Sequence, residues 1–201
     1  ELSSKNSELL YEDDKVLVRT IPLQHRVYTN GFLFQEKEGE RRLNMDAIAQ
    51  YPEIEVCDYQ NIKNGKDITL ENGKTIANTE LTFEPHRPQS YAYCSDTVYL
   101  EDLATEIQET RVIYHESTFL KINEELAAKT MHATAYQAGL VAKNAQAEAL
   151  ILGHYSSRYP DVNMFKQEAQ EVFKNVLLAE DGKKFVFENW QTEENITTPP
   201  F

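Results

Sequence analysis

Cysteine is scarce. Cys57 and Cys94 are the only two in 201 residues. That excludes a disulfide scaffold and a zinc site built on cysteine, and it points to a reducing, cytoplasmic compartment. Long apolar runs are also missing. Nothing approaches the roughly 20 residues of a membrane-spanning helix, so no membrane association is expected. Glycine and proline number seven each, which excludes collagen-like and low-complexity chains. Basic residues are outnumbered, 20 Lys and Arg against 33 Asp and Glu, for a formal charge of −13. A generally sticky nucleic-acid binder needs the opposite balance, because phosphate contacts come from Lys and Arg. A local basic patch stays open. The stretch Glu1-Leu2-Ser3-Ser4-Lys5 has neither an initiator Met nor an apolar leader. No secretory signal is read there, and the chain is expected to be a piece of a longer protein. What is present is 41% hydrophobic and 10% aromatic residues, enough for a packed core.

The chain divides by rhythm. Lys15–Ile21 alternates and is β-branched, and Gly31–Phe34 follows a short loop, so residues 15–35 read as a hairpin with His25 in its loop. Residues 36–86 are polar, with a helical patch at Leu43–Gln50. A hairpin signal, Asn72-Gly73, lies between Ile68-Thr69-Leu70 and Thr75-Ile76. This stretch reads as a protruding insert with little core of its own. From residue 90 strands and helices alternate. The strands are Tyr91–Cys94, Val112–Tyr114, Leu150–Leu152 and Phe185–Phe187. The helices are Leu100–Glu109, Lys121–Lys129, Thr134–Ala147 and Met164–Val176. Thr134 with Gln137 forms a capping box at the start of the third helix. The tail 189–201, with Thr197-Thr198-Pro199-Pro200, reads as loose.

Such alternation predicts an α/β fold with parallel strands and right-handed crossovers, whose carboxyl ends share one ligand-binding edge. Asp96 follows the first of these strands, His115 and Glu116 the second, and His154 the third, while His132 precedes the capped helix. Carboxylates and imidazoles are metal ligands and proton carriers. Each alone is ordinary, since a lone histidine in a loop is commonplace and Asp96 could cap a helix. Their clustering is the signal: four of the five histidines lie in the hairpin loop or at this rim, and His86 alone lies in the insert. Tyr91 and Tyr93 read as strand packing. Lys63, Lys66 and Lys74 read as solvated loop, with phosphate contact the sharper alternative.

Four segments occur in a recognisable order: Tyr93-Cys94-Ser95-Asp96-Thr97, His115-Glu116-Ser117-Thr118-Phe119, His132-Ala133-Thr134, and Leu152-Gly153-His154-Tyr155-Ser156-Ser157-Arg158-Tyr159. Pro22-Leu23-Gln24-His25 with Gly31-Phe32 precedes them. Together they resemble ribonuclease Z, the tRNA 3′-processing endonuclease of the metallo-β-lactamase superfamily, over residues 15–187. The resemblance implies the C-terminal half of an αββα sandwich, formed by residues 1–35 and 87–188. It also implies a flexible tRNA-gripping arm at 36–86. Two zinc ions are implied, with manganese as a substitute: His25 would hold one, Asp96 would bridge both and His154 would hold the second. His132 would be the proton donor, oriented by His115 and Glu116. Charge and hydroxyl chemistry, apart from the resemblance, make Arg158 and Thr134 candidate phosphate contacts and Lys63, Lys66 and Lys74 candidate RNA contacts. Precursor tRNA would be the substrate and a homodimer the assembly.

Two departures stand out. The family's His-x-His-x-Asp-His motif is absent, as no two histidines here are closer than 17 positions. The Gly-Pro motif of many relatives' arms is replaced by Glu53-Ile54-Glu55-Val56-Cys57-Asp58-Tyr59-Gln60. Two other readings stay open: a metallo-β-lactamase-type phosphodiesterase for small substrates, and an inactive half that serves as a scaffold.

Overall fold

The computed structural model describes residues 5–186. The chain forms two compact units, one from the residues up to Glu36 together with those from Gln89 onward, the other from Lys37 to Pro88. In chain order the first unit begins with strands β1 (Leu9–Glu12), β2 (Val16–Pro22) and β3 (Asn30–Glu36). The second unit follows, with β4 (Arg42–Leu43), α1 (Met45–Ile48), α2 (Tyr59–Lys63), β5 (Ile68–Thr69), β6 (Thr75–Ile76), α3 (Asn78–Leu81) and β7 (Thr82–Phe83). The chain then returns with β8 (Ser90–Cys94), α4 (Leu103–Glu106), β9 (Val112–Glu116), α5 (Glu124–Thr130), α6 (Ala135–Asn144), β10 (Ala149–Gly153), α7 (Asn163–Gln170) and β11 (Val176–Leu178).

The first unit is one sheet of order β1-β2-β3-β8-β9-β10-β11. β1, β2, β3 and β8 pair antiparallel, and β8 to β11 are parallel. The parallel strands need crossovers, which α4, α6 and α7 provide. Ala92, Cys94, Ile113, Leu150, Leu152, Val176 and Leu178 face these helices, in one core with Leu103, Ala138, Val141, Ala142, Phe165 and Ala169. Alternation sends the intervening residues to the other face. That face is aromatic: Phe34 stacks on Tyr91 at 6.2 Å and Tyr93 on Tyr114 at 4.8 Å between centroids. Phe34 and Tyr93 remain 41% and 38% exposed. Gly153 keeps this face flat, because a Cβ there would overlap the Tyr114 hydroxyl. Burial pushes that hydroxyl's pKa up to about 12.

Several expectations change. The expected helix at 164–176 ends at Gln170, and Val176 pairs with Leu150 as the first residue of β11. Phe165 and Ala169 are buried on its inner face, so the apolar spacing was real. Val176 belongs instead to the sheet's helix-facing core. Phe185 and Val186 are in no strand, and Phe187 and the 189–201 tail lie outside the described residues. The expected 100–109 helix is only Leu103–Glu106.

The second unit has a core of its own, contrary to expectation. Ile48, Ile54, Ile62, Ile76 and Leu81 are buried together, with Leu43, Tyr51, Tyr59, Ile68 and Leu70 around them. Asn78 ties this core to the backbone: its Nδ2 donates to the carbonyls of Ile62 and Lys66 at 2.6 and 3.1 Å, and its N–H donates to Asp67. Apolar residues scattered without period over some 40 positions escape a periodicity reading, because the elements they belong to are two to five residues long.

Candidate metal and proton-transfer site

The ends of β8, β9 and β10 lie side by side: Cys94 pairs with His115, and Gly153 with Glu116. Just beyond β8 and β10, Asp96 and His154 both adopt left-handed backbone, each with φ of 59°. Such a conformation is uncommon outside glycine and collects at functional sites. It turns both side chains toward the same point, with His154 Nε2 3.0 Å from Asp96 Oδ1. Both side chains are open to solvent, at 42% and 48% exposure.

Two loops are fastened to this rim. Gln24 donates its N–H to Thr97 Oγ1, and Val98 returns an N–H to the Gln24 carbonyl, holding the His25 loop against the Asp96 loop. On the other side, Phe119 and Ala133–Ala135 exchange backbone hydrogen bonds. His132 leaves the C-terminus of α5 directly after Met131, which is left-handed at φ 62°. The three rings line up: His25 and His132 are 4.8 Å apart between centroids, and His132 and His154 are 5.2 Å apart.

Each of these imidazoles places Nδ1 against an oxygen. His25 Nδ1 meets the Met131 carbonyl at 2.8 Å, His132 Nδ1 meets Glu116 Oε1 at 2.8 Å, and His154 Nδ1 meets Thr118 Oγ1 at 2.7 Å. A carbonyl or carboxylate can only accept, so Nδ1 carries the proton in His25 and His132 and Nε2 is left for chemistry. This is how metal-binding histidines are held by outer partners.

Asp96, Glu116, His132 and His154 present ligand atoms within 4.8 Å of one another. Glu116 nevertheless has no free valence. It is fully buried, and its Oε1 accepts from Thr97 N–H at 2.7 Å and from His132, while its Oε2 accepts from Thr118 Oγ1 at 2.6 Å and Ala133 N–H at 3.2 Å. It holds the site together and is not a ligand. Asp96 and His154 differ: they are solvent-open and face each other, Nε2 against Oδ1 at 3.0 Å, and a cation held there would replace the proton between them. Their nitrogen and oxygen donors fit a borderline divalent ion such as zinc, whereas His25 is not among the clustered ligand atoms and approaches the rim through the His132 ring.

Two expected residues fall elsewhere. His115 is fully buried on the helix-facing side, where its Nδ1 donates to the Glu116 carbonyl at 2.7 Å. Burial holds its pKa below the ordinary histidine value, and its Nε2 has no partner. It does not touch His132; Glu116 alone does, because neighbours on a strand face opposite ways. Thr134 is also fully buried, its hydroxyl accepting the Gln137 N–H as the N-cap of α6, so it offers nothing to a phosphate. Arg158 is exposed beyond β10, its guanidinium 6.0 Å from the Phe119 ring centroid. The three lysines lie in the second unit, each with a local contact: Lys63 with Glu40 at 3.8 Å, Lys66 with Asn61 at 3.1 Å, Lys74 over Tyr51. Thr118, which sequence reasoning passed over, meets three of the site's side chains.

Solved structures define the class. A metallo-β-lactamase fold protein from Bacillus subtilis superposes with a TM-score of 0.55 at 14% identity, over 86% of this chain and 50% of that one. The short form of human tRNase Z superposes at 0.51 and 22% identity, over 88% and 45%. A long-form RNase Z from yeast gives 0.52 at 18% identity, over 82% and 17%. The fold is therefore part of a metallo-β-lactamase fold.

Curated sequences narrow the likeness: the chain is similar to part of ribonuclease Z from several bacteria. It is 42% identical over 183 residues to ribonuclease Z of Phocaeicola vulgatus, covering 91% of this chain and 59% of that protein. It is 41% identical over 185 residues to that of Cytophaga hutchinsonii, covering 92% and 58%. The chain thus spans about three-fifths of the length of these relatives. No protein-family model matches it.

Proposed function

We propose that this chain is part of a metal-dependent endoribonuclease that removes the 3′ trailer of precursor tRNA and leaves a 3′-hydroxyl. The observation that carries the reading is the convergence of Asp96, His154 and the Glu116-held His132 on one rim, in a homologue of ribonuclease Z. His25, Asp96 and His154 would hold zinc, or manganese in its place, with Asp96 the bridging ligand because a carboxylate has lone pairs on two oxygens. Bound there, the ions would supply Lewis-acid polarisation of the phosphate and a nucleophile at neutral pH. His132 would give a proton from Nε2 to the departing ribose oxygen while its Nδ1–H stays on the Glu116 carboxylate, which fixes the ring's orientation. Arg158 would contact a phosphate beside it. The protein would act in the cytoplasm as a homodimer, and among the described residues no helix is long and apolar enough to cross a membrane.

The chain by itself offers three ligands for two ions. Metal analysis of the purified 201-residue chain should show well under two zincs per molecule. Two tightly held ions would mean that this rim is complete as it stands, and would count against the reading.

Residues 36–86 would be the tRNA-binding arm. The Lys37–Pro88 unit carries seven Lys and Arg against ten Asp and Glu, so its grip would be local and shaped, not a general attraction. Its ends meet: Glu36 N–H donates to the Gln89 carbonyl and Gln89 N–H to Glu36 Oε2, both at 2.8 Å. A short linker can therefore replace the unit. Made in a protein of the relatives' full length, that deletion should weaken precursor-tRNA cleavage and leave hydrolysis of bis(p-nitrophenyl) phosphate nearly intact. Equal loss on both substrates would place the unit in the chemistry instead.

A further inference from the structure

One hydroxyl lies between the two halves of the rim. Thr118, two residues past the end of β9, is buried. Its Oγ1 is 2.6 Å from Glu116 Oε2, 2.7 Å from His154 Nδ1 and 3.3 Å from His132 Nδ1. A hydroxyl has one proton to give and two lone pairs with which to accept. The Glu116 carboxylate can only accept, so the Thr118 proton goes to it. The contact with His154 must then run the other way, with Nδ1–H donating to Oγ1. Nε2 of His154 faces Asp96 Oδ1 at 3.0 Å, an oxygen that can only accept, so Thr118 and Asp96 compete for the single proton of the neutral ring, and a ring that gives it to Thr118 keeps its Nε2 lone pair for a cation.

We infer that Thr118 is a positioning residue that sets the tautomer of His154 for metal binding while securing the carboxylate that holds His132. The donor ring and the ligand ring are aligned through one side chain. Serine would preserve the arrangement; valine, the same size without the hydroxyl, would not. Without Thr118, Nδ1–H has no acceptor while the Asp96 carboxylate still draws the proton to Nε2, and a ring with its proton on Nε2 cannot bind a metal through that atom. The inference rests on the metal-site reading above and is independent of the RNA substrate.

The test uses a protein of the relatives' full length with 15N-labelled histidine. Long-range 1H–15N spectra of the zinc-free protein, taken at alkaline pH where imidazoles are neutral, report the position of the proton on His154. Wild type and Thr118→Ser should show Nδ1–H, and Thr118→Val should shift to Nε2–H, the proton passing to the side of Asp96. Zinc affinity, read by competition with a chromophoric chelator, should fall about 10–100-fold in Thr118→Val, the usual cost of losing an outer partner, and stay near wild type in Thr118→Ser. An Nε2–H tautomer in the wild type overturns the inference, and needs no variant to fold. So does undiminished zinc affinity in Thr118→Val, or an equal loss in Thr118→Ser. A protein that passes these tests yet leaves precursor tRNA uncut refutes the substrate assignment and not the role of Thr118.

Discussion

Asp96→Ala, made in a protein of the relatives' full length, is expected to abolish both precursor-tRNA cleavage and hydrolysis of bis(p-nitrophenyl) phosphate. Asp96 is the carboxylate of the candidate metal pair, and its removal leaves His154 Nε2 facing no anion. Losing the several kcal/mol that metal ions contribute to charge stabilisation slows either reaction by about three powers of ten or more. His154→Ala should behave likewise. Both variants should lose zinc in step with activity while keeping the melting temperature of the zinc-free wild type, because both side chains are solvent-open and neither supports the core. Retained zinc with lost activity would remove Asp96 from the ligand set.

His132→Ala is expected to separate the two substrates. A ribose 3′-oxygen is a strongly basic leaving group and needs a proton; a nitrophenolate leaves without one. General acid catalysis is worth about 10²–10⁴ in rate, so precursor-tRNA cleavage should fall by roughly that factor, with a far smaller loss on bis(p-nitrophenyl) phosphate. Zinc content should not change. The fold should survive, since Glu116 keeps the Thr97 and Ala133 amides and the Thr118 hydroxyl when His132 is gone. Loss of zinc, or equal damage on both substrates, would refute His132 as the proton donor.

The two variants test different ends of one network. His154 and Thr118 are joined at 2.7 Å, Thr118 and Glu116 at 2.6 Å, and Glu116 and His132 at 2.8 Å. Glu116 is the fulcrum. It is a buried carboxylate satisfied by five donors, the Thr118 N–H at 3.4 Å among them, and such a group orders its neighbours because every alternative arrangement leaves it unsatisfied.

The parallel strands were legible in the sequence. Tyr91–Cys94, Val112–Tyr114 and Leu150–Leu152 are short apolar runs, and the structure places β8, β9 and β10 on them. The capped helix was legible as well, because the Thr134–Gln137 box is a local device whose partners lie three residues apart. Parallel pairing of those strands puts their carboxyl ends on one edge, so Asp96, Glu116 and His154 could be expected near one another before any coordinate was known. Strand alternation also held an unused signal: His115 and Glu116 are neighbours within β9, so only one of them can face the rim.

Other features were decided by tertiary structure alone. The core of the second unit joins Ile48, Ile54, Ile62, Ile76 and Leu81, whose spacing follows no helix or strand period, because packing among very short elements is non-local. Val176 fits the apolar face of the preceding helix in sequence, and only the open edge of β10 draws it into β11. Which residue fills which role at the rim also depends on three dimensions. Thr134 and Thr118 both follow a histidine within three residues, yet one is spent on a helix end and the other meets three functional side chains. Sequence determines the local periods, caps and strand ends. The hydrogen-bond partners of a buried polar atom come from segments distant in sequence, and only folding brings them within reach.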